Sequence, residues 1–436
     1  MYYIKQVNIE NFWSNKIVNI VFQNDVNFLI GVNGSGKTTI INIIVAALYV
    51  NISDLKKNDF NRIILILEDQ NKGSTITLEI NKATAGIYAS SIITYSIGQL
   101  DSGEREFYNF GDFPTIEGTL VHDYSMGAYS STSSEYLLRA KIQGYLNISW
   151  LSINRSTHLI NNNINRESIE SSVDLKLNDL SNRFIKYFSF LENRFSSAQT
   201  MAQKEHLPNL FDYHITEEKL ISVTSKNEFI NLLKSEKISI NFPENYLSNN
   251  EIYEMLYDQY MSARDRIYNR NYETIFDDIS TILRFQYLEK IHNYNNSIEN
   301  ASKDIFRFRD LFINIINNLY KRKELKIKKD NTLEIITPSD KSLTLFDLSS
   351  GEKQLLIILG ECMLQESKPH VYIADEPELS LHIEWQERLV KSLIEINPNS
   401  QIIFATHSPD IVSSYSDSVI HIENCIHDEG SSEAIY

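Results

Sequence analysis

Apolar residues follow different periods in different parts of the chain. Largely apolar runs at 26–30 and 371–374 are typical of buried strands, and the largely apolar run 40–50 is long enough for a helix. Residues 63–98 alternate between apolar and polar positions, which predicts antiparallel strands. Between about 160 and 320, apolar residues recur at helical spacing, and we expect these stripes to be packing faces. The stripe positions are Leu177, Leu180, Phe184, Phe188, Leu191, Phe195, Ile275, Ile279, Ile282, Ile305, Phe308, Leu311, Phe312 and Ile315.

This change of period divides the chain into three parts. We expect an α/β domain made of a first lobe at 1–158 and a second lobe at 321–436, with a helical insertion at 159–320 between them. The insertion lacks the sustained heptads of a coiled-coil arm, which favours a compact helical lobe. Residues 99–135 are rich in Gly, Ser, Tyr and Asp, which predicts a loop.

The segment GVNGSGKT, residues 31–38, fits a phosphate-binding loop because it lies between a predicted strand and a predicted helix. Its glycines let backbone N–H groups turn towards phosphate oxygens, and the start of the helix adds the positive end of its dipole. Lys37 would reach the β- and γ-phosphates, and the Thr38 hydroxyl would hold Mg²⁺. The alternative is a glycine-rich turn between a strand and a helix. The predicted ATP contacts in this phosphate loop are Asn33, Gly34, Ser35, Gly36, Lys37, Thr38 and Thr39.

A pair of acidic residues follows the apolar run 371–374. A buried central strand ending in Asp375 and Glu376 would deliver both carboxylates to one edge of a sheet. Asp375 would then bind Mg²⁺, and Glu376 would orient and deprotonate the attacking water. The alternative is a core strand that meets a turn, with both carboxylates solvated.

Two further segments resemble motifs of ABC-type ATPases. LSSGEKQ, residues 348–354, resembles the signature motif, with Ser349 and Gly351 matching the serine and glycine that contact the γ-phosphate. Ser350 between them is a further predicted contact, and Glu352 stands where transporters usually carry Gln. We refer to residues 348–354 as the signature segment.

The other resemblance lies nearer the carboxyl end. In ATHSP, residues 405–409, His407 resembles the switch histidine that senses the γ-phosphate, and PELSLH, residues 377–382, resembles the adjoining D-loop. A histidine near a strand end is often structural, so its role rests on the neighbouring motifs and their order. We call 405–409 the switch segment and 377–382 the D-loop segment.

The sequences of these motifs resemble those of one branch of the ABC-type ATPases. That branch contains SMC proteins, RecF, double-strand-break repair ATPases and the ATPase subunits of the OLD, Septu and PARIS anti-phage systems. The resemblance rests on YIKQVNIENF at 3–12, SSGEKQ at 349–354 and DEPELSLH at 375–382, and it covers about 1–50 and 340–415. It implies a P-loop ATPase head with a mixed sheet and flanking helices, carrying a helical insertion. It also implies ATP and Mg²⁺ as cofactors.

Two departures from that pattern stand out. Trp13 takes the place at which many relatives carry a basic residue that contacts ATP. No clear glutamine loop is present, and the segment ISWLSINRS at 148–156 offers only Asn154 or Arg155 as substitutes.

Charge and composition narrow the function classes. The chain has 436 residues, 41 Lys and Arg, 57 Asp and Glu and a net charge of −16, which is opposite to a dedicated nucleic-acid coat. A possible nucleic-acid contact must therefore be local, and the candidates are the basic run 321–329 and the RFR triplet 307–309. Apolar residues alternate with the lysines of that run, which favours a strand pair with a solvated face.

The same composition indicates a reduced cytoplasmic protein without a membrane partner. The sequence has two cysteines, Cys362 and Cys425, and shows no apolar run of membrane-spanning length. We expect each cysteine to act as a small apolar residue.

The resemblance implies that each ATP lies between the phosphate loop of one copy and the signature segment of another, in a homodimer or higher oligomer.

Residues after His407 are too few for the nuclease domain that OLD enzymes append, so we expect a separate effector nuclease. The favoured interpretation is an ATP-dependent sensor or regulatory subunit of a bacterial anti-phage system, like the Septu, PARIS or retron-associated ATPases. The alternatives are a RecF-like DNA repair ATPase and a scaffold that uses ATP only to assemble.

Overall fold

The computed structural model places the chain in two compact units. One unit comprises Met1–Ile185 and Phe308–Tyr436, and the other comprises Lys186–Arg307. The expected insertion, 159–320, is longer at both ends than this second unit. The structure describes residues 2–70, 72–85, 90–99, 105–110, 131–151, 172–210, 226–235, 249–269 and 275–428.

The bounds of the elements are as follows. The strands are β1 (Tyr2–Phe12), β2 (Lys16–Val21), β3 (Val26–Ile30), β4 (Arg62–Asp69), β5 (Thr75–Ala85), β6 (Ser90–Gln99), β7 (Arg105–Phe110), β8 (Ile148–Trp150), β9 (Glu324–Ile327), β10 (Leu333–Ile336), β11 (Ser342–Leu343), β12 (His370–Asp375), β13 (Ser400–Ala405), β14 (Val419–His421) and β15 (Ile426–Asp428). The helices are α1 (Lys37–Leu48), α2 (Ile52–Lys57), α3 (Ser131–Tyr145), α4 (Ser172–Leu210), α5 (Lys226–Ser235), α6 (Asn249–Tyr268), α7 (Ile275–Leu319), α8 (Ser350–Met363), α9 (Ile383–Ile396) and α10 (Pro409–Val412).

The strands form two large sheets and a small one. One sheet has the order β15-β2-β1-β4-β5-β6-β7 with antiparallel neighbours, which confirms the strands expected from the alternation at 63–98. The second has the order β14-β3-β13-β12-β8, and every neighbouring pair is parallel. The third, β11-β10-β9, contains the hairpin expected within the basic run. In the parallel sheet, all carboxyl ends meet at one edge, where α/β proteins bind their ligands.

Helix α1 is buried over most of its surface. Its residues Thr39, Asn42 and Val45 are half-buried, whereas its buried residues include Ile40, Ile41, Ile43 and Ile44. They share one core cluster with apolar residues of the antiparallel sheet and with residues of β12 and β13. The helix is thereby fixed between the two large sheets, and its first residue, Lys37, is fixed with it.

A buried glutamine ties the two sheets together. Gln401 of β13 is only 2% exposed, and its side chain bonds to backbone groups of β1 and of the turn before β3. Its Nε2 donates to the carbonyl oxygens of Ile4 (2.8 Å) and Gln23 (2.7 Å), and its Oε1 accepts from the N–H of Ile4 at 2.9 Å. A buried amide must satisfy its polar atoms, so this contact fixes the register between the sheets.

The helical stripes mark packing faces, as expected. Leu177, Leu180, Phe184, Phe188, Leu191, Ile282, Phe312 and Ile315 are buried, whereas Phe195, Ile279, Ile305, Phe308 and Leu311 are half-buried. The side chain of Ile275 lies outside the described residues. In the unit Lys186–Arg307, a second core forms around Phe229, Tyr253, Tyr260, Ala263, Ile282 and Phe285.

The insertion contains much of two long helices, α4 with 39 residues and α7 with 45. Local periodicity shows that a segment is helical but does not show where the helix ends. The predicted loop 99–135 contains β7 and the start of α3, and its remaining residues from 100 onwards lie outside the described part.

From composition we expect no membrane-spanning segment, and cysteines that act as small apolar residues. Within the described residues, none of the helices is long and apolar enough to cross a membrane. Cys362 is buried, and burial raises its pKa to about 12, so it behaves as a small apolar side chain.

Candidate active site

The carboxyl edge of the parallel sheet gathers three of the predicted motifs. The phosphate loop follows β3, Asp375 ends β12, and the switch segment follows β13. Because β13 lies between β3 and β12, the switch segment emerges between the other two motifs. Residues that are more than three hundred positions apart in sequence therefore share one edge.

The phosphate loop has the conformation of an anion-binding turn. Gly34 and Gly36 have positive φ values of 84° and 97°, which favour glycine. Gly36 is the N-cap of α1 and offers no side-chain cap, so the first N–H groups of the helix stay available to a phosphate. The buried Oγ of Ser35 has no hydrogen-bond partner among the described residues, as expected of a group that awaits a ligand.

Lys37 folds back onto this loop. The residue is 5% exposed, and its Nζ donates to the carbonyl oxygens of Gly31 at 2.8 Å and Val32 at 3.3 Å. A buried ammonium needs acceptors, and here the loop itself supplies them. Phosphate oxygens bound in the loop would be stronger partners for this charge than neutral carbonyls.

Thr38 and Asp375 connect the phosphate loop to β12. The Thr38 hydroxyl donates to Asp375 Oδ1 at 3.0 Å. A hydroxyl and a carboxylate at this distance are oxygen ligands of the kind that Mg²⁺ prefers, so the pair fits the predicted metal site.

Glu376 lies where the chain leaves β12 with a strained backbone. Its φ is 51°, unusual for a residue with a side chain, and its N–H donates to the carbonyl of Ala405 at 2.8 Å. Its Oε1 is 3.5 Å from Nε2 of His407. Burial, then the neighbouring carboxylate of Glu378, raises the pKa of Glu376 to about 8.

The signature segment begins α8, and among the described residues it has no hydrogen bond to the phosphate loop. Ser349 is the N-cap and forms a capping box with Glu352, whose Oε2 accepts from the serine N–H at 2.8 Å and from its hydroxyl at 2.7 Å. Within the described residues, the N–H and hydroxyl of Ser349 bond to Glu352, and its carbonyl accepts from the N–H of Lys353 at 2.9 Å. Gly351 lies so close to the Ser380 carbonyl that an added Cβ would be 2.3 Å from it.

Trp13 lies against the phosphate loop. Its ring stacks on Phe12 with centroids 4.6 Å apart, and its Cη2 would be 3.0 Å from a Cβ on Gly36. The side chain remains 41% exposed. The position at which relatives carry a basic residue thus presents an indole ring beside the loop.

The candidate glutamine-loop segment begins at the same sheet edge. Strand β8 pairs in parallel with β12, and Leu151, which follows it, donates its N–H to the carbonyl of Ile373 at 2.9 Å. The proposed substitutes Asn154 and Arg155 lie outside the described residues.

Two acidic residues at this edge were not assigned from sequence. Glu423 follows β14 and accepts a 2.8 Å hydrogen bond from the N–H of Val32, which lowers the pKa of Glu423. Glu378 is 6% exposed, and its Oε1 accepts from the N–H groups of His407 (3.1 Å) and Ser408 (3.2 Å). Both residues lie in sequences that are typical of turns and that do not indicate a function for either carboxylate. Only the strand order shows which groups their carboxylates contact.

The basic run is largely neutralised within the chain. Lys321, Lys323, Lys326 and Lys328 each form an ion pair with a glutamate. This pairing agrees with the interpretation of the run as a solvated strand face. The described residues also contain no group of three or more His, Cys, Asp or Glu that could hold a metal.

The sequence model of the AAA ATPase domain family matches residues 1–412. The chain belongs to this family. It is therefore an ATPase, and its α/β fold is the P-loop ATPase fold expected from the motifs.

Its curated relatives include two proteins named for retrons. The chain is 26% identical over 292 residues to the retron Vc95 probable ATPase of Vibrio cholerae serotype O1 biovar El Tor, covering 62% of this chain and 50% of that protein. It is 24% identical over 429 residues to the retron Ec83 probable ATPase of Escherichia coli, covering 94% of this chain and 69% of that protein. The chain thus spans half the length of the first relative.

One solved structure that the chain resembles is the Smc head domain with an extended coiled coil, derived from Pyrococcus furiosus. That domain is bound to the C-terminal domain of ScpA. It is 18% identical with a TM-score of 0.42, covering 95% of this chain and 92% of that one.

The raised pKa of Glu376 predicts how ATP hydrolysis depends on pH. If Glu376 is the base, only its deprotonated form acts, and that fraction falls about tenfold per pH unit well below its pKa. We expect kcat/KM for MgATP to rise between pH 6.5 and 8.5 and then level off, because this parameter reports the free enzyme. Glu376→Gln is the control and should leave a low rate without this slope. A parental profile that stays flat down to pH 6 would contradict the assignment.

Proposed function

We propose that this chain is an ATP-dependent sensor or regulatory subunit of a bacterial anti-phage defence system, and that it controls a separate effector nuclease. The observation that carries the proposal is the convergence of phosphate loop, acidic pair and switch segment at one sheet edge. The likeness to a retron probable ATPase over 94% of the chain supports the link to defence.

In this proposal, each residue of the edge has a role in ATP handling. Lys37 and the N–H groups of the phosphate loop bind the phosphates, and the exposed face of Trp13 stacks on the adenine. Thr38 and Asp375 hold Mg²⁺, which supplies positive charge against the phosphate oxygens. Glu376 orients the attacking water and takes its proton. His407, next to Glu376, senses the γ-phosphate.

The signature segment serves a second copy of the chain. Ser349 and Ser350 are exposed at the start of α8, where a helix N-terminus favours an anion. The exposed apolar side chains Phe346 and Leu379, in and beside the same motifs, suit an interface. Two copies in head-to-tail contact would each complete the other's ATP site, so ATP would hold the assembly together and hydrolysis would release it.

The effector and the trigger are further parts of this proposal. A regulatory ATPase changes assembly state with its nucleotide and needs a second protein to read that state. We propose a nuclease as the reader, with a nucleic acid as a possible trigger. The ion pairs of the basic run favour contact at a small site over a broad basic surface.

The regulatory role predicts ATP hydrolysis without nuclease activity. The purified chain should hydrolyse ATP and leave plasmid, single-stranded DNA and total RNA intact with Mg²⁺ or Mn²⁺. Expressed with the products of its neighbouring genes, it should bring down a nuclease whose activity changes with Glu376→Gln. Lys37→Ala, which should lack ATP hydrolysis, is the matched control. Cleavage by the chain alone that survives further purification and persists in Lys37→Ala would contradict the role.

The shared ATP site predicts complementation between two inactive variants. Lys37→Ala lacks a working phosphate loop and Ser349→Ala lacks a working signature segment, so each alone should hydrolyse ATP poorly. A mixed pair contains one intact composite site, and random pairing of equal amounts should restore about a quarter of parental activity. Subunit exchange is verified by mass photometry with two differently sized tags. Exchange without recovery of activity would argue against sites shared between copies.

A further inference from the structure

Glu378 is a buried carboxylate held by the switch segment. Its Oε1 accepts three hydrogen bonds, from the Thr406 hydroxyl and from the N–H groups of His407 (3.1 Å) and Ser408 (3.2 Å). Glu378 itself is 6% exposed and Thr406 is fully buried. A buried carboxylate needs such donors, and charge-assisted hydrogen bonds are stronger than neutral ones. This contact therefore fixes the D-loop segment against the switch segment.

The carboxyl group of Glu378 also lies beside that of Glu376. Its Oε2 is buried without a hydrogen-bond partner among the described residues. Glu376 in turn lies 3.5 Å from the ring of His407. Glu378 thus contacts both the residue proposed as the base and the backbone of the residue proposed as the switch.

The same turn is also held from the signature side. Gln354 of the signature segment donates from Nε2 to the Pro377 carbonyl at 2.7 Å in a buried contact. Gly351 packs directly on the Ser380 carbonyl. Glu378, between Pro377 and Ser380, therefore lies on a stretch that contacts both the signature helix and the switch segment.

We propose that Glu378 is a positioning residue for ATP hydrolysis, whose carboxylate holds the switch segment so that His407 and Glu376 keep their contact. This inference rests on the proposed roles of Glu376 and His407. Glu378 does not contact the phosphate loop through any hydrogen bond among the described residues, so its effect is on turnover and not on ATP binding.

Steady-state kinetics of three variants test this inference. Glu378→Ala should lower kcat about a hundredfold, as expected for a small misplacement of reacting groups, while KM for MgATP stays within about threefold. Glu378→Gln keeps an oxygen acceptor in place and should recover kcat to within about fivefold of the parent. Thr406→Val removes one donor with little change of shape and should lower kcat about tenfold. Glu395→Gln, an exposed carboxyl group of α9, is the matched control and should behave like the parent.

The readouts separate positioning from folding. Thermal unfolding and binding of a non-hydrolysable ATP analogue establish that each variant folds, and if Glu378→Ala does not fold, Glu378→Gln and Thr406→Val decide. Parental kcat in folded Glu378→Ala or in Thr406→Val, or a rise of KM in proportion to the loss, would overturn the inference. So would a Gln variant as slow as the Ala variant. Glu376→Gln in the same assay tests the proposed base independently, because its activity does not depend on how Glu378 is interpreted.

Discussion

The burial of α1 between the two large sheets is the constraint from which the candidate site follows. Eight of the twelve residues of this helix are buried, and the antiparallel sheet and the parallel sheet together cover them. Each fully buried Ile side chain contributes about 1.5–3 kcal/mol, so withdrawing even part of the helix would be costly. Lys37 and Thr38 begin this helix, and they are held against Asp375 because α1 packs on β12.

The second constraint is electrostatic. Asp375, Glu376 and Glu378 place three carboxyl groups within four positions, and burial disfavours several neighbouring charges. The chain meets this by giving Glu378 three donors, and burial together with the neighbouring carboxylate of Glu378 raises the pKa of Glu376 to about 8. The charge of Lys37 acts in the opposite direction. The protonation of Glu376, the proposed base, therefore depends on which group Lys37 binds.

Much of the local structure could be predicted from sequence, because strands and helices with strong periods carry their own signal. Val26–Ile30 is the strand that the apolar run predicted, and α1 and α8 begin at the predicted motifs. Strand order depends on pairing between distant segments, so the position of β13 between β3 and β12 could not be predicted. The burial of Glu378 depends on that order. The end points of α4 and α7 likewise depend on tertiary packing.

The motifs identify residue types but not the groups that these side chains contact in the fold. The sequence shows that Glu352 stands where transporters usually carry Gln. Only the structure shows that Glu352 forms a capping box with Ser349 at the start of α8. Trp13 was recognised as a departure from a basic residue, and only the fold places its ring beside Gly36. In both cases the residue that departs from the family pattern makes a definite contact with a neighbouring motif residue.

The central claim is that the carboxyl edge of the parallel sheet binds ATP through Lys37, and calorimetry of MgATP binding to Lys37→Ala tests it most directly. Backbone N–H groups alone cannot balance the phosphate charge, so the account predicts at least a hundredfold weaker binding, about 3 kcal/mol. Lys391→Ala, which removes an exposed lysine of α9, should bind like the parent. Parental affinity in a folded Lys37→Ala protein would contradict the account.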